Sequence, residues 1–344
     1  MFALPAILFL LVVTGLSWRP GRDLEAALSR AQTQTVKGVF VAMVFFSHFC
    51  PYVSLDRWFD KPLAVCCSWF GQLMVVPFLF YSGYGVFEAA KEKGMSYVRS
   101  FPRKRILKTW VHFAMALVLF AVFDAFFAPS RLSVPALFSA MAAWTSIGNS
   151  TWFVFAILCA YLFAWAGFFL FRGDRPRALL FTAFLCVLYI AAVSRCKPSW
   201  WWDTILAFPL GGAVSLGKGR LAFLEGKWPW RAACTLALGA LAVAERNWIP
   251  GGAVRAATAL SAMMALIVLL SMRMALGSRI LSWLGGHVFG IYILQRLPMD
   301  FGASFGWNGR CIYLYLAFCL VSTLLLAVLF DKAARFVDSK WLDK

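Results

Sequence analysis

The sequence predicts an all-α integral membrane protein of about eleven transmembrane helices. Three observations carry that expectation. The 344 residues are 62% hydrophobic and only 14% charged, against about 25% charge in a soluble domain. Apolar stretches of near-spanning length recur along the whole chain, separated by short polar connections. Lys and Arg crowd every second connection: 24 of the 33 fall in one alternating set and nine in the other. That bias places the richer set in the cytoplasm, the N-terminus outside and the C-terminus inside. An even number of spans would break the alternation.

The first stretch, Met1 to Trp18, is apolar and uncharged, and its basic residues Arg19 and Arg22 follow it. It lacks a positive region before the apolar run and a small-residue cleavage site, so it reads as an uncleaved helix. Residues 1–35 are this helix and a polar connector. The main membrane unit occupies 36–331, and 332–344 form a short cytoplasmic tail. Within the main unit the expected spans are 36–52, 63–87, 109–128, 150–171, 178–194, 201–216, 232–244, 253–272, 280–297 and 311–330. Two are short: thirteen residues cover about 20 Å of a roughly 30 Å hydrocarbon core. No internal repeat or low-complexity tract interrupts the series.

The net charge of +18 does not make this a nucleic-acid binder. The basic residues lie in short connections and form no basic amphipathic face; topology and contact with anionic lipid account for them better. The nine cysteines are scattered without metal-ligand spacing, so no metal site is expected. Most read as small packing residues, with a disulfide open at Cys66, Cys67 or Cys196. Walker A, H-E-x-x-H and G-x-S-x-G patterns are absent, which removes the usual support for ATP-driven transport, zinc proteolysis and serine esterase chemistry.

The chain is organised around Val36–Tyr52, an apolar helix with Lys37 at its start and His48 eleven residues later. An ionisable side chain inside a membrane helix is costly, and it is a functional candidate by default. Lys37 falls at the cytoplasmic end, and His48 lies about 16 Å further on, beyond the midplane. An imidazole that titrates near neutrality suits proton abstraction from a hydroxyl. Asp124, Asp203 and Asp56 all fall near outer ends of spans, and the sequence does not choose which of them orients the ring. His112 and His287, each close to a cytoplasmic end, read as structural.

Three short segments, in order, resemble the acyltransferase-3 family of multi-pass membrane O-acyltransferases. They are Lys37 with His48, the run Phe78-Leu79-Phe80-Tyr81-Ser82-Gly83-Tyr84, and the run Phe101-Pro102-Arg103-Lys104-Arg105-Ile106-Leu107-Lys108. A later segment, Gly285 to Leu294, is similar to a fourth; Val288 stands there for a serine and Gln295 for a histidine. The resemblance implies ten core helices, to which the N-terminal helix is an addition. It implies catalysis by His48 with Lys37, and a coenzyme A thioester donor, most simply acetyl-CoA, held at its phosphates by Arg103, Arg105 and Lys108. It implies a glycan or lipid-linked saccharide acceptor, with Tyr84, Trp152, Asp124 and Asp203 as candidate contacts. The setting would be the bacterial inner membrane. Asn149-Ser150-Thr151-Trp152-Phe153 resembles another family segment, but Ile157 stands where some members carry a glutamate. The competing expectation is a multi-pass transporter or flippase for a glycan or lipid-linked intermediate, with the histidine in a proton relay.

Overall fold

The α-helices run in chain order as α1 (Ala3–Gly15), α2 (Leu24–Ala27), α3 (Arg30–Phe49), α4 (Lys61–Phe70), α5 (Val76–Phe101) and α6 (Lys108–Phe127). They continue as α7 (Val134–Met141), α8 (Trp152–Leu170), α9 (Arg175–Val193), α10 (Ala207–Leu221), α11 (Lys227–Glu245) and α12 (Gly252–Arg273). The last are α13 (Arg279–Gly286), α14 (Val288–Leu294), α15 (Arg296–Ser304), α16 (Trp307–Arg310) and α17 (Ile312–Val337). This computed structural model describes residues 3–249 and 251–342, without the side chains of residues 3, 59, 66, 69 and 70. Met1, Lys344 and the Cys66 side chain therefore lie outside the described residues.

Among the described residues, six helical stretches are long and apolar enough to cross a membrane: Arg30–Tyr52, Gly71–Phe127, Trp152–Leu170, Arg175–Val193, Gly252–Arg273 and Ile312–Leu342. The 57-residue stretch holds more than one crossing, because its helix breaks at Gly94, with φ 57° and ψ −143°. Large apolar side chains such as Phe126, Phe169, Leu180, Leu236 and Leu314 stay exposed on the outside of the bundle, as lipid-facing positions do. The chain is a multi-pass, all-α membrane protein, save for one small sheet.

Several boundaries differ from the sequence expectation, each for a local reason. The basic run 99–108 is helical, not a loop. The chain turns earlier, at Gly94, and Pro102–Leu107 is a π-helical segment leading into α6. Proline lacks the N–H that an α-helical bond would use, and a π turn accommodates that gap. Replacing Gly94 with Ala is expected to destabilise the protein by about 1–2 kcal/mol, because φ and ψ there suit only glycine; thermal unfolding in detergent would measure it. Pro77 begins α5 and does not interrupt a longer helix: a 3-10 turn, Gly71–Val75, separates α4 from α5. The first turn is where a missing N–H costs least. The short stretch 232–244 belongs to the 19-residue α11, and 201–216 becomes the 15-residue α10. The stretch 280–297 is split at His287, whose φ of −109° and ψ of 18° are not helical. Helix α17 runs unbroken past residue 332, and Asp338–Leu342 continue it as a π turn.

Residues 16–18 leave the first helix and pair antiparallel with 274–276, Leu16 opposite Leu276 and Trp18 opposite Met274. The added N-terminal segment is thereby tied to the end of α12. Arg19 and Arg273 reinforce the join, each donating to backbone carbonyls across it.

Two helix crossings set the centre of the bundle. On α3, a Cβ added at Gly38 would fall 1.8 Å from the Leu281 carbonyl oxygen; opposite it, one added at Gly285 would fall 1.8 Å from that of Gln34. Gly83 of α5 and Gly211 of α10 meet in the same way, at 2.0 Å from the Phe208 and Phe80 carbonyl oxygens. Backbones this close exclude any side chain and fix the register of the helices that carry the candidate site. Gly85, two residues on, meets nothing within 4 Å and opens onto a cavity. Among the cysteines, Cys67 Sγ lies 3.1 Å from Cys50 Sγ, while Cys196 is exposed with its sulfur near the Ala192 and Val193 carbonyls.

Candidate active site

Helix α3 carries Lys37 in its first half and His48 in its last turn, and the 3-10 turn Cys50–Tyr52, with Pro51, ends it. The helix runs in hydrophobic core for most of its length, so both side chains are placed by packing of their neighbours Val41, Val44, Phe45 and Phe49. His48 opens into a cavity of about 600 Å³ at the end of the bundle away from the basic run. The wall is built by α3, the turn before α5, the segment Trp144–Trp152, the segment Lys197–Trp201, and Tyr292 and Arg296.

The His48 ring is held at Nδ1, 2.7 Å from Nε2 of Gln295. The same amide nitrogen donates to the Tyr292 carbonyl at 3.0 Å. Gln295 is fully buried, so the ring is anchored from the protein side. Among the described residues no hydrogen bond is made at His48 Nε2.

The cavity combines aromatic faces with unused polar atoms. Trp144, Trp152, Trp200 and Trp201 line it. Thr145 Oγ1, Asn149 Nδ2 and Arg296 Nε are buried and have no hydrogen-bond partner among the described residues, while the Tyr292 hydroxyl faces Ser150 and the Phe153 backbone. Buried polar atoms are costly unless satisfied, and such atoms around one cavity suit a polyhydroxylated guest. The segment before α8 is folded inward to present Thr145 and Asn149: Asn149 Oδ1 accepts from the Ile147 N–H at 3.1 Å, and Gly148 takes φ 97°.

Behind Tyr292 lies an inner chamber of about 320 Å³, lined by Lys37, Tyr81, Ser82, Gly85, Arg105, Ile157 and Tyr161 among others. Ser82 and Tyr161 share a hydrogen bond of 2.7 Å. Arg105, Thr109 and Phe289 belong both to this chamber and to a third cavity of about 760 Å³ at the basic end. Lys93, Lys104, Lys108 and His112 complete the charged wall of that cavity. Three cavities thus follow one another through the bundle, sharing Tyr292 at one junction and Arg105 at the other.

The sequence candidates divide accordingly. His48 and Trp152 share the outer cavity, Lys37 and Arg105 the inner chamber, and Arg105 and Lys108 the basic-end cavity. Lys108 is paired with Asp338 at 2.7 Å, and the same carboxylate receives His112 Nε2 at 2.9 Å. Arg103 lies outside these walls and donates to the Trp341 carbonyl at 3.3 Å. Tyr84 lines none of the three cavities and stands near Glu88 and Lys218. His287 is bound to Asp331 at 2.5 Å.

None of the three carboxylates reaches the His48 ring. Asp124 is buried against Arg131 at 3.4 Å. Asp203 lines a neighbouring cavity of about 270 Å³ with Glu245 and Arg255. Asp56 is exposed and receives the Ser54 hydroxyl. The place expected for a carboxylate is taken by the amide of Gln295.

Gln295 stands out in the sequence only as the residue in place of a family-like histidine. Arg296 and Lys197 look like ordinary outer-loop cations, and Lys93 and Lys104 like topology signals. Only the fold brings them to cavity walls.

Comparison with curated proteins and with solved structures returns no match. The acyltransferase-3 family model, described as an acyltransferase domain, matches residues 33–332. That range takes in most of α3, every cavity wall and both glycine crossings. With its apolar helices and a histidine set into a cavity of the bundle, this chain belongs to the acyltransferase-3 family.

Proposed function

We propose that the protein is a membrane-bound O-acyltransferase. It takes an acyl group, most simply acetyl, from a cytoplasmic coenzyme A thioester and delivers it to a hydroxyl of a cell-surface or envelope glycan. The observation that carries this reading is the series of three cavities. A basic cavity suits the phosphates of the donor. A narrow inner chamber suits a thioester arm. The outer cavity offers tryptophan faces, unused hydrogen-bond groups and one imidazole.

In this reading the donor enters from the basic end, and Arg105, at the junction, holds its anionic part while the thioester extends past Lys37 towards Tyr292. The acceptor lies against Trp152 with its hydroxyl near His48. His48 takes the hydroxyl proton, and the alkoxide oxygen attacks the thioester carbonyl. The C–S bond breaks, the new C–O ester bond forms, and the thiolate leaves; the imidazolium gives its proton up to solvent, and the thiolate takes one from it. Two-sided access requires the basic end to face the cytoplasm, as the Lys and Arg distribution supports. Tyr84, Asp124 and Asp203 would then act, if at all, from beyond the first layer of contacts.

The direct test is acyl transfer by the purified chain from radiolabelled acetyl-CoA, together with comparison of envelope glycan from strains with and without it. Ester-linked acyl groups that depend on the chain are the expected result. Glycan translocation with no covalent transfer would replace this reading with the transporter.

The donor site gives a narrower prediction. Arg105→Gln is expected to weaken acetyl-CoA binding about tenfold or more, since a charge-assisted contact contributes about 1.5–3 kcal/mol. Arg103→Gln, outside the cavity wall, should change it little. Calorimetric titration of both variants checks this. Unchanged binding in Arg105→Gln would leave the basic run as a topology signal only.

A further inference from the structure

The outer cavity has a charge as well as a shape. Lys197 and Arg296 line it, and no Asp or Glu does among its described walls. Lys197 is fixed in an unusual way: Nζ sits 4.2 Å from the ring centroids of both Trp144 and Trp201 and donates to the Trp144 carbonyl at 2.8 Å. An ammonium has three donors, so two remain after that bond. The two indole faces hold the cation electrostatically without neutralising it.

Arg296 approaches the same space from α15, beside His48, with its Nε buried and unpartnered. Asp300, one turn further along α15, is an acid within electrostatic reach of Arg296. Its Oδ1 already receives the Tyr52 hydroxyl at 2.6 Å, and its Oδ2 faces Arg131 at 3.9 Å. Neither Lys197 nor Arg296 forms an ion pair among the described residues. Two half-buried cations thus line a cavity whose described walls hold no acid, and such a cavity favours a negative guest.

Resting on the acyl-transfer reading above, we propose that the acceptor is an anionic saccharide, one whose own carboxylate or phosphate is received by Lys197 and Arg296. The tryptophan pair then does two things. It positions Lys197 over the opening, and it gives the sugar an apolar face next to the charge. Binding of the anion would also set which hydroxyl lies nearest His48. A neutral sugar would find the stacking surface but would leave both cations unsatisfied, so the cavity discriminates by charge.

The test uses the full chain in nanodiscs of neutral lipid. Saturation-transfer NMR compares three probes that differ chiefly in charge: methyl β-glucoside, methyl β-glucuronide and glucose 1-phosphate. At least one anionic probe should bind about tenfold or more tighter than the neutral one, and the stronger of the two identifies carboxylate or phosphate. That preference should fall towards parity in Lys197→Gln and in Arg296→Gln. It should survive in Lys197→Arg, which keeps the charge and the ring contacts and so controls for disturbance of the cavity. Equal binding of all three probes, no binding of any, or a preference untouched by both Gln variants would overturn the proposal. The acyl-transfer reading is scored separately, with acetyl-CoA added. Acylation of the glucoside as fast as of the charged probes would sink the anionic acceptor and leave acyl transfer standing. Charge-selective binding with no acyl moved from any donor would do the reverse.

Discussion

His48→Ala is expected to abolish acyl transfer while leaving the protein at its normal level in the membrane. Removal of a general base typically lowers rate by 10²- to 10⁴-fold, about 3–5 kcal/mol of barrier. Alanine has the highest helix propensity and removes a polar group from the last turn of α3, so insertion should not suffer. The structure offers two internal controls. His112 and His287 are each bound to a carboxylate, Asp338 and Asp331, and their rings are committed to packing the basic end. His112→Ala and His287→Ala should retain more activity than His48→Ala when the purified chains are assayed with acetyl-CoA and an accepted sugar. A His48→Ala protein that is inserted and acylates at the parental rate would remove the catalytic role.

The helix that carries the candidate site was readable because its signal is local. One imidazole in an apolar run, a lysine eleven residues before it and an ordered set of short segments all lie on the surface of the sequence. Membrane character was readable for the same reason, since composition and loop charge need no tertiary information. What could not be read were features made by breaks and crossings. The reversal at Gly94 gives no hydropathy signal, and so the basic run 99–108 looked like a loop, although it is helical, with a π turn over Pro102–Leu107. Residues 201–216 were bounded too early because Trp201 is apolar and buried yet precedes α10. The cavity walls are non-local: Gln295 meets His48 across 247 positions. Lys197 meets Trp144 across 53. Neither pair has a spacing that a single sequence could reveal. Acids near span ends drew attention as partners for His48, yet an uncharged amide took that position.

That amide leads to the second large effect. As placed, Gln295 Nε2 donates both to the Tyr292 carbonyl and to His48 Nδ1, which puts the ring proton on Nε2, facing away from the amide. With the amide turned away from the Tyr292 carbonyl and reversed, Oε1 accepts from His48 Nδ1–H and leaves His48 Nε2 with its lone pair. Amide orientation follows from the hydrogen-bond network, and the Tyr292 carbonyl favours the first arrangement; the second requires the amide to give up that bond. Proton abstraction by His48 needs the second. Gln295→Leu keeps roughly the side-chain volume, removes the anchor and leaves the ring free to turn; a loss of about 10²-fold in kcat is expected, with KM for the donor little changed. Gln295→Glu would fix Nδ1–H and should retain far more activity than Gln295→Leu, with a pH profile shifted because a carboxylate now faces the imidazole. Steady-state kinetics of the two variants across pH measures both statements. If Gln295→Glu is as inactive as Gln295→Leu although fully inserted, His48 works as a hydrogen-bond donor to the acyl oxygen and the base must be sought elsewhere.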